Sequence, residues 1–231
     1  MTNPDLAAIW TATHERTVAL LEGLTPEQAE SKVPATDAWT ARQLASHMVG
    51  VGVDAVAGKS EADASPQWTE GHVQDRASAS TADLVAEWRA AAPQVRELLQ
   101  TGPAEDVGPV CVDVYWHEQD LRTALPDAAP VTDDPALQMG LDAFAGGFAG
   151  RVTEQGLPAV RLVAGDWSLV AGDGEPQVEV SADRFELARA LSGRRSPAQV
   201  SAFAWSGDPA PYLPIFSMFG DLCETDLVEQ G

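Results

Sequence analysis

Cys111-Val112-Asp113-Val114-Tyr115-Trp116-His117-Glu118-Gln119-Asp120-Leu121-Arg122 is the stretch on which the reading of this chain turns. As a helix it sets Asp113 and His117 one turn apart on one face, in company with Val110, Val114, Leu121 and Ala124. The rest of that face is apolar and should point into a core, where a carboxylate and an imidazole need a partner to offset their desolvation. A metal ion is one such partner, and mutual hydrogen bonding of buried polar groups is another. A metal would need a third ligand from elsewhere in the chain, and His47 is the candidate.

His47 lies in a second helix. Trp39-Thr40-Ala41-Arg42-Gln43 opens it, with Thr40 and Gln43 in capping-box register, and Leu44, His47, Met48 and Val51 share its apolar face. Gly50, Gly52 and Gly58 weaken its end, residues 59–71 read as loop, and His72 and Asp75 follow in a polar stretch that reads as solvated, with a place at a site entrance as the alternative. Ahead of it, Asn3-Pro4-Asp5 is a helix start, and Leu6, Ile9, Trp10, Thr13, Thr17, Leu20, Leu21 and Leu24 recur at helical spacing over residues 4–23. His14, at the edge of that stripe, reads as a surface or boundary residue. Gly23 ends the helix, and Thr25-Pro26-Glu27-Gln28 has capping-box spacing for a short turn. A third helix starts at Ser80-Thr81-Ala82-Asp83 and carries Leu84, Trp88, Ala91, Val95, Leu98 and Leu99 as a bundle seam. Pro93 should kink it and Gly102-Pro103 should stop it. The fourth helix holds the opening stretch and runs to about Leu125, before Pro126. Helices that bring polar side chains together inside a bundle are how bundles build metal sites.

Beyond a fifth, Ala- and Gly-rich helical stretch over 135–151 the periodicity changes. Val160, Leu162 and Val163, then Trp167, Leu169 and Val170, then Val178 and Val180 form short apolar runs separated by Ala164-Gly165-Asp166 and Gly172-Asp173-Gly174-Glu175-Pro176, which predicts an antiparallel meander. Ser181 is expected to cap a helix with Phe185, Leu187, Ala188 and Leu191 on its buried face, and Ser196-Pro197-Ala198-Gln199 a shorter one. The tail, rich in proline and aromatic residues, should cross the core as extended chain and a helical turn. The fold class is therefore α+β, with a helical bundle over 1–152 and a small α+β domain with a short antiparallel sheet over 153–231.

Composition narrows the function classes. Hydrophobic residues at 45% and charged residues at 21% suit a soluble globular protein, and no apolar run reaches membrane-spanning length. The N-terminus lacks a basic region followed by an apolar core, so no secretory signal is read there and the expected location is cytoplasmic. A formal net charge of −21 repels phosphate backbones, which argues against nucleic acid as a partner. Cys111 and Cys223 are too far apart in sequence to form a metal-knuckle or redox pair and are expected as separate thiols, Cys111 in a packing role away from the ligand face.

His47, Asp113 and His117 together would give two imidazoles and one carboxylate, the kind of three-ligand set that catalytic zinc sites use while keeping one position open. Nickel, iron(II) and manganese suit the same donors. Trp39 to His47 and Asp113-x-x-x-His117-Glu118-Gln119-Asp120-Leu121-Arg122 resemble the two signature stretches of the mycothiol-dependent maleylpyruvate isomerase family, one of the DinB-like metal-binding four-helix bundles. The Trp167 strand, the helix ending Ser192-Gly193-Arg194-Arg195 and the late Trp205 are similar to that family's smaller second domain. The resemblance implies that His47, Asp113 and His117 hold the metal, normally zinc, and that mycothiol is the thiol cosubstrate. It also exposes a departure: the isomerases usually carry glutamate four residues before the second histidine, and Asp113 is shorter by about one methylene, ~1.5 Å.

The implied chemistry is that of a thiolate made available by a bound cation. In an isomerase the thiolate adds to a conjugated cis alkene, the new single bond rotates, and elimination returns the trans product; in an S-transferase the thiolate attacks an electrophile and stays attached. The substrate is then a small electrophilic or unsaturated acid, handled by a monomer or small homo-oligomer. Asp120, one turn beyond His117, is expected either to orient it or to lie on the helix surface. Arg194 and Arg195 are candidates to steer an anionic group, with capping of their helix's negative end as the alternative. A non-catalytic metal-containing binding or sensor protein on the same fold is the second functional reading.

Overall fold

The computed structural model describes residues 5–60 and 65–229. The chain divides into two units, Met1–Val131 with Glu229–Gly231 and Thr132–Val228. In the first, α1 (Leu6–Glu22), the short α2 (Pro26–Ala29), α3 (Ala41–Ala57), α4 (Pro66–Asp75), α5 (Thr81–Thr101) and α6 (Ala104–Thr123) follow one another. α1 and α3 each pack against both α5 and α6, which closes a four-helix bundle around Trp10, Leu21, Leu44, Met48, Leu84, Trp88 and Tyr115, all nearly inaccessible to solvent.

The ends of these helices follow their capping chemistry. Asp5 caps α1 by accepting from the Ala8 N–H; Asn3 and Pro4 of the expected start lie outside the described residues. The Thr25–Gln28 and Thr40–Gln43 capping boxes both form, and α3 stops at Gly58, whose φ of 65° is the left-handed conformation that glycine adopts without steric cost. α5 continues through Pro93, and α6 through Pro109. The second half of the stretch expected as loop is instead α4, started by the Ser65 side chain accepting from the Trp68 N–H with Pro66 at the first position; residues 61–64 lie outside the described residues.

The second unit contains α7 (Pro135–Glu154), β1 (Val160–Ala164), β2 (Trp167–Ala171), β3 (Val178–Ser181), α8 (Arg184–Leu191), α9 (Pro197–Ser201) and β4 (Ala204–Trp205). The boundary expected at residue 152 moves to 131/132, because α7 packs on α8 and β2 and so belongs with the sheet. The sheet is mixed, order β2-β1-β3-β4, rather than a meander. β3 has the direction a meander would give it, but crosses to the other side of β1 and pairs there in parallel, Val160 opposite Val178 and Leu162 opposite Val180. That placement makes β1 an inner strand, with Val160, Leu162 and Ala164 buried, and leaves β2 as a half-exposed edge. Ser181 is the last residue of β3; the cap of α8 is Asp183, which accepts from the Phe185 N–H. The tail is irregular apart from one 3-10 turn at Leu213–Ile215.

Candidate metal centre

α3 and α6 face each other in the bundle and bring the three expected ligands together. His47 Nε2 and His117 Nε2 each lie 3.5 Å from the same Asp113 oxygen, Oδ1, and the three donor atoms are within 4.8 Å of one another. Two donors held ~2.1 Å from a tetrahedral zinc would be about 3.4 Å apart, so the two carboxylate–imidazole separations fit a shared cation. His47 is nearly inaccessible, at 2% exposure, whereas the Asp113 side chain keeps 27% of its surface, so the cluster is open on the Asp113 side. Two nitrogens and one oxygen, with an open side, is the donor set of a catalytic site rather than of a closed structural one.

The outer nitrogen of each imidazole is also engaged. His117 Nδ1 is 3.0 Å from Oδ2 of the fully buried Asp120, which sits one turn on along α6. Asp120 is therefore not on the helix surface. His47 Nδ1 is 3.2 Å from His72 Nδ1, and His72 Nε2 is 3.1 Å from Asp54 Oδ2. The Trp68 indole N–H donates to that same Asp54 oxygen at 2.8 Å, and the Trp39 ring lies 5.0 Å from that of His47. His72, expected as solvated, is 4% exposed because α4 packs it against α3. The sequence signal for it was Ser65-Pro66, a capping residue followed by proline, which starts the helix that delivers His72.

The electrostatics of the cluster are coupled. Burial, which disfavours the imidazolium, lowers the His47 pKa, and His117 and His72 act in the same direction against the opposing hydrogen bond and charge of Asp113. For Asp113 burial pushes upward, but His117, His47 and His72 outweigh it and hold the carboxyl below its ordinary value. A carboxylate that stays ionised beside an imidazole that resists protonation presents lone pairs, not protons, to a cation.

The other expected site residues have different employment. Arg195 is 1% exposed and paired to both Glu186 oxygens at 2.7 Å, and Arg194 donates to the Ser192 carbonyl and lies over the Phe219 ring at 5.8 Å. These contacts fasten the end of α8 within the second unit and are of the kind expected of helix-end arginines. Cys111 is fully buried and its thiol faces the Leu6 carbonyl, which is a packing role. The neighbours of His117 in the signature stretch build the scaffold: buried Glu118 is bracketed by Arg16 at 2.8 Å and Arg122 at 2.7 Å, and Gln119 accepts from the Val131 N–H. His14 is buried, not at a boundary, stacked on Trp10 at 4.7 Å with the Trp88 edge at the same distance. Burial, with Arg96 and Arg89 adding to it, lowers its pKa to about 4.

The chain is similar to known proteins at two levels, family and fold. The family model of Mycothiol-S-transferase matches residues 5–128, the span that holds all three candidate ligands together with Asp54, His72 and Asp120. No curated protein sequence matches. Among solved structures, the crystal structure of the mycothiol-dependent maleylpyruvate isomerase superposes with a TM-score of 0.56 at 15% identity, covering 89% of this chain and 96% of that one. A histidine-to-alanine mutant of that isomerase superposes with a TM-score of 0.55 at 14% identity over the same shares. At such identities the likeness is one of fold.

Proposed function

Because the chain belongs to the mycothiol-S-transferase family, we propose that it is a metal-dependent enzyme that uses mycothiol as its nucleophile, transferring the thiol to a small electrophile or isomerising an unsaturated acid through a thiol adduct. The observation that carries the reading is the convergence of His47 Nε2, Asp113 Oδ1 and His117 Nε2 on one point, with a partner at the outer nitrogen of each histidine. A divalent cation, zinc by the family resemblance, would be held by these three atoms and would supply the charge that favours thiolate over thiol.

Everything else in the reaction falls to the chain's own residues. Asp120 and His72 hold the two imidazoles in place, so that their lone pairs stay aimed as the thiol arrives. Asp113, the most exposed of the three, marks the side from which thiol and substrate enter. The thiol gives up its proton to solvent there, and its sulfur electron pair forms the S–C bond. In transfer the leaving group departs with the bonding pair. In isomerisation the alkene π pair moves into the conjugated carbonyl as the S–C bond forms, the carbon–carbon single bond so left rotates, and return of the pair expels the thiolate and restores the alkene as the trans form. The two outcomes need the same site and differ in the electrophile presented to it, which is how one family accommodates both.

Across a panel of electrophiles and cis-enoic acids, zinc-loaded protein is expected either to consume mycothiol with electrophiles or to isomerise cis-enoic acids only when mycothiol is present, without net consumption of the thiol. His47→Ala and His117→Ala are expected to lose both stoichiometric zinc and turnover. A folded protein that binds no zinc or nickel contradicts the proposal. Zinc binding without any thiol chemistry across the panel would instead favour the non-catalytic binding or sensor protein.

A further inference from the structure

The Asp54–His72 pair lies behind the cluster and is not among its ligands. We propose that these two residues are positioning residues for the candidate metal centre, fixing His47 in the one tautomer that leaves its Nε2 lone pair free. The inference rests on the metal reading above and adds a residue-level device to it.

If Nε2 of His47 ligates, its ring proton must sit on Nδ1, and among the described residues that N–H meets His72 Nδ1 at 3.2 Å. His72 Nδ1 must then accept, which places the His72 proton on Nε2, and Nε2 faces Asp54 Oδ2 at 3.1 Å. A carboxylate is acceptor-only, so it is the group able to end such a chain, and it also takes the Trp68 N–H at 2.8 Å on the same oxygen. Read from Asp54 outward, every donor meets an acceptor and the series ends on a free lone pair at the ligand cluster. Reverse His72 alone and Nδ1–H would face Nδ1–H while Nε2 met the carboxylate with no proton between them; reverse His47 alone and two Nδ1 lone pairs would face each other.

The backbone makes room for this arrangement at one position. A Cβ on Gly50 would lie 2.3 Å from His72 Cγ and 2.4 Å from its Cδ2, closer than real contacts allow, so the His72 ring occupies the space that any side chain at residue 50 would need. A glycine in the interior of α3 weakens the helix relative to alanine, and the seating of His72 is what it permits. A histidine that merely filled the core would not need its two nitrogens aligned between a ligand and a carboxylate.

The test uses the full-length protein loaded with zinc. Long-range proton–nitrogen NMR of the imidazoles should show His72 protonated at Nε2 and His47 at Nδ1; His72 protonated at Nδ1 overturns the proposal. In competition titrations His72→Leu should weaken zinc binding about 10- to 100-fold, the range for loss of a partner behind a ligand. His72→Asn, whose amide oxygen stands where Nδ1 stood, should recover most of that loss, and the NMR assignment of the wild-type protein decides the matter if His72→Leu fails to fold. Zinc affinity of folded His72→Leu within twofold of wild type, or no recovery in folded His72→Asn, overturns the positioning role while leaving the metal site intact. Wild-type protein that takes up no zinc overturns the metal reading, and this proposal with it.

Discussion

Asp113, His117 and His47 are ordinary residue types whose importance comes from where the backbone puts them. Helical spacing alone places the first two on one face, and an apolar stripe places the third on an inward one, so the ligand set could be read before any coordinates. His14 could not be read that way: what covers it is Trp88, delivered by another helix, and the periodicity of α1 is silent about its neighbours. Its environment has a measurable consequence. With the folded-state pKa lowered from 6.5 to about 4, the unfolded chain takes up the proton first as pH falls. The stability His14 contributes is therefore fully present above about pH 6.5 and is lost as pH falls through 4, roughly 3 kcal/mol in all. Denaturant unfolding of wild type and His14→Leu across pH 4 to 8 should show this slope in the first and its loss in the second; parallel curves would contradict it.

Elements were legible where a terminus carried capping chemistry and a long face carried apolar repeats, as in α1, α3, α5 and α6. α4 had the first signal without the second: of its side chains only His72 and Val73 are buried, and Gly71 lies within it, so its pattern looked like loop. Its place is set instead by contacts at long range, Trp68 and His72 on Asp54. The sheet failed for a related reason. Strand lengths and turn residues give the direction of β3, but which side of β1 it takes is decided by packing that no local pattern records. The capping box of α3 is a local feature with a testable effect. Thr40 accepts from the Gln43 N–H, and the Gln43 side chain accepts from the Thr40 N–H in return. Thr40→Ala should destabilise the protein by about 1 kcal/mol in urea unfolding, and an unchanged midpoint would contradict that assignment.

For the molecule as a whole, all the candidate ligands and their partners lie in the unit that ends at Val131, which also contains the family match. The bundle thus carries the candidate centre, and Arg194 and Arg195 make their contacts within the second unit. No described helix is long and apolar enough to cross a membrane. A net charge of −21 works against anionic ligands at long range, which makes a cation at the cluster the natural local source of attraction for a thiolate. The central claim is that the cluster holds a metal and that the metal engages the thiol. Calorimetric titration of mycothiol into zinc-loaded and zinc-stripped protein tests it most directly. The account predicts one mycothiol per zinc-loaded chain and at least tenfold weaker binding to stripped protein and to His117→Ala; equal binding in all three, or none in any, would contradict it.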